Sequence, residues 1–350
     1  MRIPQHGDTA ALSTDVPNFD PDRVAALVSQ VYGIDARIEP LAGERDQNCC
    51  VRTADGIRRV FKISNPSEPA ALVDFQIAAL DHIAARAPDL AVQRVVKTLD
   101  GEQSASVELD DGRFTKIRML TYLDGIQIKH TQRTAAQRRA MGRGLARLNL
   151  AMQDFSHPAA SHDLLWNASA AHRLTEQLAA LSGDARYPLA CAFMENFVEN
   201  VQPYLPAVRA QVIHNDYHLY NVLVDPEKQS VITGIIDFGD MLHAPLVGEV
   251  ATAAAFHMAD SDDPFEGPAQ FIGAYHALLP LDDRELDIVA DLMATRHLIT
   301  ALISEWRAAR YPENRAYIMR HNPAAWEALA YMHRLPREEI RDRLLINVKK

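Results

Sequence analysis

Two periods of apolar residues run along this chain, and one replaces the other near residue 131. Before that point, runs with strand character are broken by the turn pairs Asp55-Gly56, Asp100-Gly101 and Asp111-Gly112. Residues 37–41, 49–53, 58–63, 95–99, 106–109 and 116–120 are predicted strands. Two helices break the series. In the first, Val24, Leu27, Val28 and Val31 form one stripe that Asp20 and Pro21 open and Gly33 closes. The second is predicted from Glu68 to Ala85, with Ser67 as its cap and Pro88 ending it. After residue 131 the spacing becomes three and four, which predicts helices leading into Met152 and over 163–182, 187–205, 246–259, 267–278, 283–308 and 323–333. One stretch interrupts the helical half. Residues 221–224 and 231–236 are apolar and β-branched, and the polar turn 225–230 separates them, so they are predicted to form a hairpin. The pattern therefore predicts an α+β protein: an aperiodic arm over 1–18, a small antiparallel-sheet lobe with one main helix over 19–121, and a larger, mostly helical lobe over 122–350.

Polar residues gather at the open end of that hairpin. His214, Asp216 and Asn221 precede its first strand and Asp237 follows its second, so Asp216, Asn221 and Asp237 are expected to converge. Two carboxylates and an amide offer hard oxygen ligands, which suit Mg²⁺. The run His-x-Asp-x-x-x-x-Asn followed by Asp-Phe-Gly is the pattern phosphoryl transfer uses, with one carboxylate to orient the attacking hydroxyl and an Asn and an Asp to hold metal on the phosphates.

On these motifs the chain resembles the kinase-like small-molecule phosphotransferases, the aminoglycoside phosphotransferase and choline kinase group. Asp-Phe-Gly-Asp-Met at 237–241 and Glu-Arg-Asp-Gln-Asn at 44–48 resemble the hydroxylysine kinase branch. The resemblance spans about residues 20–330 and implies a two-lobed protein-kinase-like fold. It implies Asp216 as the catalytic carboxylate, Asn221 and Asp237 as Mg²⁺ ligands, and ATP or GTP as phosphoryl donor. His214 is implied as a structural brace for the catalytic loop. Lys62, near the end of its strand, is expected to pair the nucleotide phosphates, and an acid from the following helix to hold it: Asp74 first, Glu68 second. Asn48 closes the 43–48 loop and is a candidate nucleotide contact. Tyr122 and Leu123 lie where the lobes should join and are placed to read a purine edge through their backbone. The loop has one glycine instead of Gly-x-Gly-x-x-Gly, so its phosphate contacts are expected to come from side chains and a few amides.

Other readings fit less well. His214 and His218 have zinc-ligand spacing, but β-branched residues flank them and the intervening acid is Asp216, where a zinc protease needs a helix and a Glu. A protein kinase would carry Ala-Pro-Glu after Asp-Phe-Gly, and here helix resumes within about ten residues. A nucleotide-binding pseudokinase without turnover is the alternative of another class; such chains usually lose a key polar residue, and here Lys62, Asp216, Asn221 and Asp237 are all present.

Charge and composition narrow the partners. A formal charge of −10 argues against nucleic acid, so phosphate must be bound by local cations and metal. No run of 18 apolar residues exists to span a membrane, and the first twenty residues lack the apolar core of a secretory signal. Three cysteines without metal-ligand spacing suit a cytoplasmic protein. Acids crowd the region after the hairpin: Asp240 and Glu249, then Asp260, Asp262 and Asp263. Asp240 and Glu249 are candidate contacts for an ammonium. Together with the resemblance, this implies a small hydroxyl acceptor bearing an amine, with hydroxylysine first and an aminoglycoside, choline or ethanolamine, or homoserine as alternatives.

Overall fold

A computed structural model describes residues 16–43, 45–258 and 262–348; most of the expected arm (1–15) and Asp260 lie outside these. The fold is α+β and kinase-like, an antiparallel sheet with its helices followed by a larger helical part. It divides into two compact units. Among the described residues the first comprises the chain up to Asp124 together with Phe155–Leu164 and Gly234–Gly239, and the remainder forms the second.

The first unit is built on β1 (Ala36–Leu41), β2 (Gln47–Thr53), β3 (Arg58–Ile63), β4 (Val95–Val96), β5 (Ala105–Glu108) and β6 (Phe114–Thr121). The order is β1-β2-β3-β6-β4 with β5 also on β6, all antiparallel. Helix α1 (Pro21–Tyr32) starts as its sequence predicts: the Asp20 side chain accepts from Arg23 N, and Gly33 closes the helix at φ 66°. Its buried Val24, Val28 and Tyr32 share a core with Val51, Phe61, Ile117 and Met119 of the sheet.

Helix α2 (Ala70–Arg86) begins two residues later than predicted. Pro69 occupies the N-cap position, and Ser67 is drawn into a turn in which Asn65 Oδ1 accepts its amide at 2.9 Å. Phe75 on α2 stacks parallel with Phe155, ring centres 6.0 Å apart, and with His157 at 5.3 Å. That aromatic contact explains why 155–164 returns to this unit. Gly234–Gly239 returns through Ile235, whose amide donates to Ala91 O at 2.7 Å.

The second unit carries β7 (Ile126–Gln127), β8 (Ala210–Ile213), β9 (Val222–Val224), the start of β10 (Ile232–Ile235) and β11 (Leu242–Pro245). Strands β10, β9 and β7 lie side by side, so the predicted hairpin is present, and β11 pairs with β8. The main helices are α3 (Ala135–Ala151), α4 (Tyr187–Asn200), α5 (Leu246–Ala255), α6 (Glu266–His276), α7 (Asp283–Arg310), α8 (Asn322–Met332) and α9 (Arg337–Leu344). Helix α7 is central and buried on most of its circumference. A capping box opens it, Asp282 accepting from Glu285 N while Glu285 accepts from Asp282 N. The predicted helix over 163–182 is instead a 3₁₀ segment (Ala168–Arg173) and one short helix (Thr175–Ala179). Asn167 Oδ1 accepts from both the amide and the hydroxyl of Ser169, a local alternative to helix, and Ala170 is non-helical. All three cysteines are unpaired. No helix among the described residues is long and apolar enough to cross a membrane.

Candidate active site

In the first unit, Lys62 projects from β3 into a buried charged cluster. Its Nζ lies 3.4 Å from Asp46 Oδ2, and Arg118 Nη2 reaches the same oxygen at 3.5 Å. Asp74, the acid expected to hold Lys62, is exposed on α2, and Asp46 takes its place. Strand register explains this. Asn48 lies opposite Lys62, so Asp46, two residues back and on the same face, is the diagonal neighbour. Burial raises the Asp46 carboxyl, but Lys62 and Arg118, with the Asn65 amide and Arg45, outweigh it and hold the group below the usual carboxylate range. Glu68, the second candidate, belongs to the same cluster. Burial and then the neighbouring Asp46 charge push its carboxyl up. Arg118 is further held by Ser64 Oγ and Gln76 Oε1, both at 2.6 Å.

The backbone at Gly43, in the 43–48 loop, is tightly approached. A β-carbon on Gly43 would sit 2.3 Å from Asp46 O, and the Asn48 amide donates to Ala42 O at 3.2 Å. Asn48 thus shapes the loop as well as standing in it. Tyr122 lies under the Arg58 guanidinium at 4.2 Å, and Leu123 follows it, half-buried. Asp237 adopts φ 65°, a left-handed conformation costly for a non-glycine residue and concentrated at functional sites.

In the second unit, Asp216 and Asn221 are in direct contact. Asn221 Nδ2 donates to Asp216 Oδ2 at 2.7 Å and to Asp216 O at 3.0 Å. Asp216 Oδ1 has His218 Nε2 at 3.4 Å and Arg296 Nη2 at 3.9 Å. The loop between β8 and β9 is anchored from below. His214 Nδ1 accepts the Asp216 amide at 3.3 Å, His218 Nδ1 accepts the Tyr220 amide at 3.3 Å, and the buried Tyr217 hydroxyl donates to Met141 O at 3.1 Å. Tyr217 also explains a glycine inside α3. A β-carbon at Gly144 would come within 2.6 Å of the Tyr217 hydroxyl.

Glu249 was expected to meet the acceptor, but it is fully buried and committed to this loop. Its Oε1 accepts the amide of Asn215 at 2.9 Å, and Asn215 is held at φ 64°. Burial raises the Glu249 carboxyl to about 7 against the pull of the Asn215 and His214 backbone and the Asn149 side chain. A raised carboxyl favours the folded state below the unfolded value and loses that advantage as pH climbs to the folded one. Stability should therefore fall between about pH 4.5 and 7 by roughly 3 kcal/mol from this group. Glu249→Gln should flatten that slope in denaturant titrations across the same range; an unchanged slope would place the titration elsewhere. Asp240 is also mostly buried, and its charge acts on Arg296.

Beside the Asp216 loop the second unit holds a cavity of about 520 Å³, a size suited to a small ligand. Leu219 and Tyr220 of the loop, Phe256 after α5, Arg296 on α7 and His321 before α8 line it. The His218 ring, next to Asp216, packs edge-on against Phe256 at 4.8 Å. Arg296 and this cavity were not foreseen from the sequence.

The chain is similar to known phosphotransferases along most of its length. Hydroxylysine kinase of Mus musculus is 28% identical over 336 residues, covering 89% of each chain. In fold the chain is similar to amicoumacin kinase hAmiN, solved with AMP-PNP, Ca²⁺ and Ami, at a TM-score of 0.66 and 13% identity over 93% of this chain and 94% of that one. It is also similar to a microcompartment-associated aminopropanol kinase, at a TM-score of 0.59 and 17% identity over 87% and 98%. The family model described as "Phosphotransferase enzyme family" matches residues 37–286, which takes in the Lys62–Asp46 pair, the Asp216–Asn221 loop and Asp237, and the chain belongs to that family.

Proposed function

We propose that this chain moves the γ-phosphoryl group of ATP or GTP onto a hydroxyl of a small amine-bearing acceptor, with hydroxylysine as the first compound to test. The observation that carries the reading is the Asp216 carboxylate, clasped by Asn221 and set beside a cavity of small-ligand size. Asp216 orients the acceptor hydroxyl. As its oxygen bonds to the γ-phosphorus and the bond to the bridging oxygen breaks, the hydroxyl proton passes to the carboxylate. Oδ2 accepts from Asn221, and Oδ1, on the side of His218 and Arg296, is assigned to that hydroxyl. Lys62, steadied by Asp46, is assigned to the donor phosphates. The hydroxylysine kinase relative and the aminopropanol kinase of similar fold both support an amine-bearing acceptor.

Asn221 and Asp237 are the residues that would hold Mg²⁺. Asn221 spends its amide hydrogens on Asp216, and its Oδ1 accepts no hydrogen bond from a described residue, which suits a hard cation. When bound, the ion supplies positive charge to the phosphates. Asp237→Ala should remove the Mg²⁺ dependence of nucleotide binding in calorimetric titrations with and without the ion. Nucleotide binding that depends on Mg²⁺ as strongly in the variant as in the wild type, or turnover that survives EDTA, would contradict the assignment.

The test of the whole reading is a coupled assay of nucleoside-diphosphate release across hydroxylysine, other hydroxylated amino acids, amino alcohols, choline and aminoglycosides. Acceptor-dependent release with an amine-bearing hydroxyl compound is expected. A preference for neutral sugars or polyols over every amine would overturn it.

A further inference from the structure

The cavity beside Asp216 carries the opposite charge from the one a purely cationic acceptor needs. Three of its lining residues, Lys129, Arg133 and Arg296, are basic, and one, Glu327, is acidic and exposed. Lys129 rests over the Tyr220 ring at 4.2 Å, and Arg133 donates to Phe256 O at 3.4 Å, so both cations are fixed to the aromatic wall. Arg296 differs from them in being buried, 6% exposed, in the middle of α7. A buried guanidinium is costly unless its donors are used. Among the described residues it makes one hydrogen bond, from Nη1 to Trp166 O at 3.3 Å, and its Nε has no partner. Asp216 stands 3.9 Å away, beyond hydrogen-bond reach, with its other oxygen already held by Asn221. The Asp240 charge also acts on Arg296.

The positive charge is felt nearby. His297 and His321, both in the lining, are depressed to about 4, by burial first, with Arg296 contributing to each and Arg320 also acting on His321. Both rings are therefore neutral at pH 7 and add nothing to offset or reinforce Arg296.

Resting on the kinase reading of this site, we infer that the acceptor carries a carboxylate and that Arg296 is the residue that holds it while Asp216 meets the hydroxyl. A planar guanidinium matches a carboxylate with two parallel N–H donors, and a buried one gains most from that pairing. The substrate class is then a hydroxylated amino acid. An aminoglycoside or choline, which brings only positive charge, is disfavoured by the same three cations.

The experiment compares acceptors that differ only in the carboxylate: 5-hydroxylysine with 1,5-diaminopentan-2-ol, homoserine with 3-aminopropan-1-ol, and threonine with 1-aminopropan-2-ol. Each pair is measured by nucleoside-diphosphate release and, independently of turnover, by calorimetric binding. For the best pair, the wild type should favour the carboxylate-bearing member by roughly 10²–10⁴-fold in kcat/KM and bind it at least about tenfold more tightly. Arg296→Met should bring that ratio close to one through the acceptor KM, leaving the nucleotide KM unchanged, and Arg296→Lys should recover part of it. Equal handling of both members of every pair by the wild type, or no calorimetric binding of any carboxylate-bearing member, would overturn the inference. So would a preference that survives Arg296→Met. Absence of turnover alongside selective binding would instead remove the kinase reading and leave carboxylate recognition standing.

Discussion

Replacing Asp216 with Asn should lower kcat by roughly 10²–10⁴-fold and leave the fold and nucleotide affinity close to wild type. The substitution keeps the side chain's shape, so Asn221 can still donate to an oxygen at the position of Oδ2. The loop's other anchors, the bonds to His214 Nδ1 and from the Tyr217 hydroxyl, do not involve the Asp216 carboxylate. What disappears is the negative oxygen facing His218 and Arg296, and with it the proton acceptor for the attacking hydroxyl. Steady-state kinetics on the variant, with a melting curve to show that it is folded, decide the matter. Turnover like that of the wild type would remove Asp216 from the chemistry. A large fall in melting temperature would mean that the carboxylate is structural.

The loop that carries Asp216 and Asn221 was legible in the sequence because its pattern is local. Asp216 and Asn221 lie five residues apart, and the strand that follows fixes their spacing. The antiparallel sheet was legible for the same reason, through its Asp-Gly turns and alternating runs. Asp46 was harder to see, since pairing with Lys62 depends on the register of β2 against β3, and no motif states a register. Asp74 drew attention because helix acids serve this role in the kinase template, yet on α2 its side chain faces solvent. The sequence signal for Arg296 is faint: it is one arginine in the run Leu292–Ile299, among apolar residues that bury completely. Glu249 reads as exposed because an acid in the first turn of a helix usually faces water. Here it is fully buried beneath the loop, where it accepts the amide of a left-handed Asn215.

Asp46→Asn should lower stability by about 3 kcal/mol and raise the nucleotide KM, with little change in acceptor KM. The side chain is 13% exposed and its Oδ2 stands near two cations, Lys62 and Arg118. Removing the charge leaves both buried, with Glu68 nearby; burial first and the Asp46 charge second hold the Glu68 carboxyl above its ordinary value, and only the second is removed. Some relief should follow as Glu68 takes up the negative charge, which keeps the loss below that of an isolated buried cation. The pH dependence has a definite sign. Because the folded-state value of Asp46 lies below the ordinary one, its contribution is complete at neutral pH and fades as the solution becomes acidic. Wild type and variant should therefore differ most near pH 7 and converge in acid. Asp74→Asn is the control, since an exposed helix acid should move neither stability nor nucleotide KM by more than a few tenths of a kcal/mol. If Asp74→Asn raises the nucleotide KM as much as Asp46→Asn does, the lysine is held from the helix during turnover, and the pairing across the strands is not the one that positions the donor.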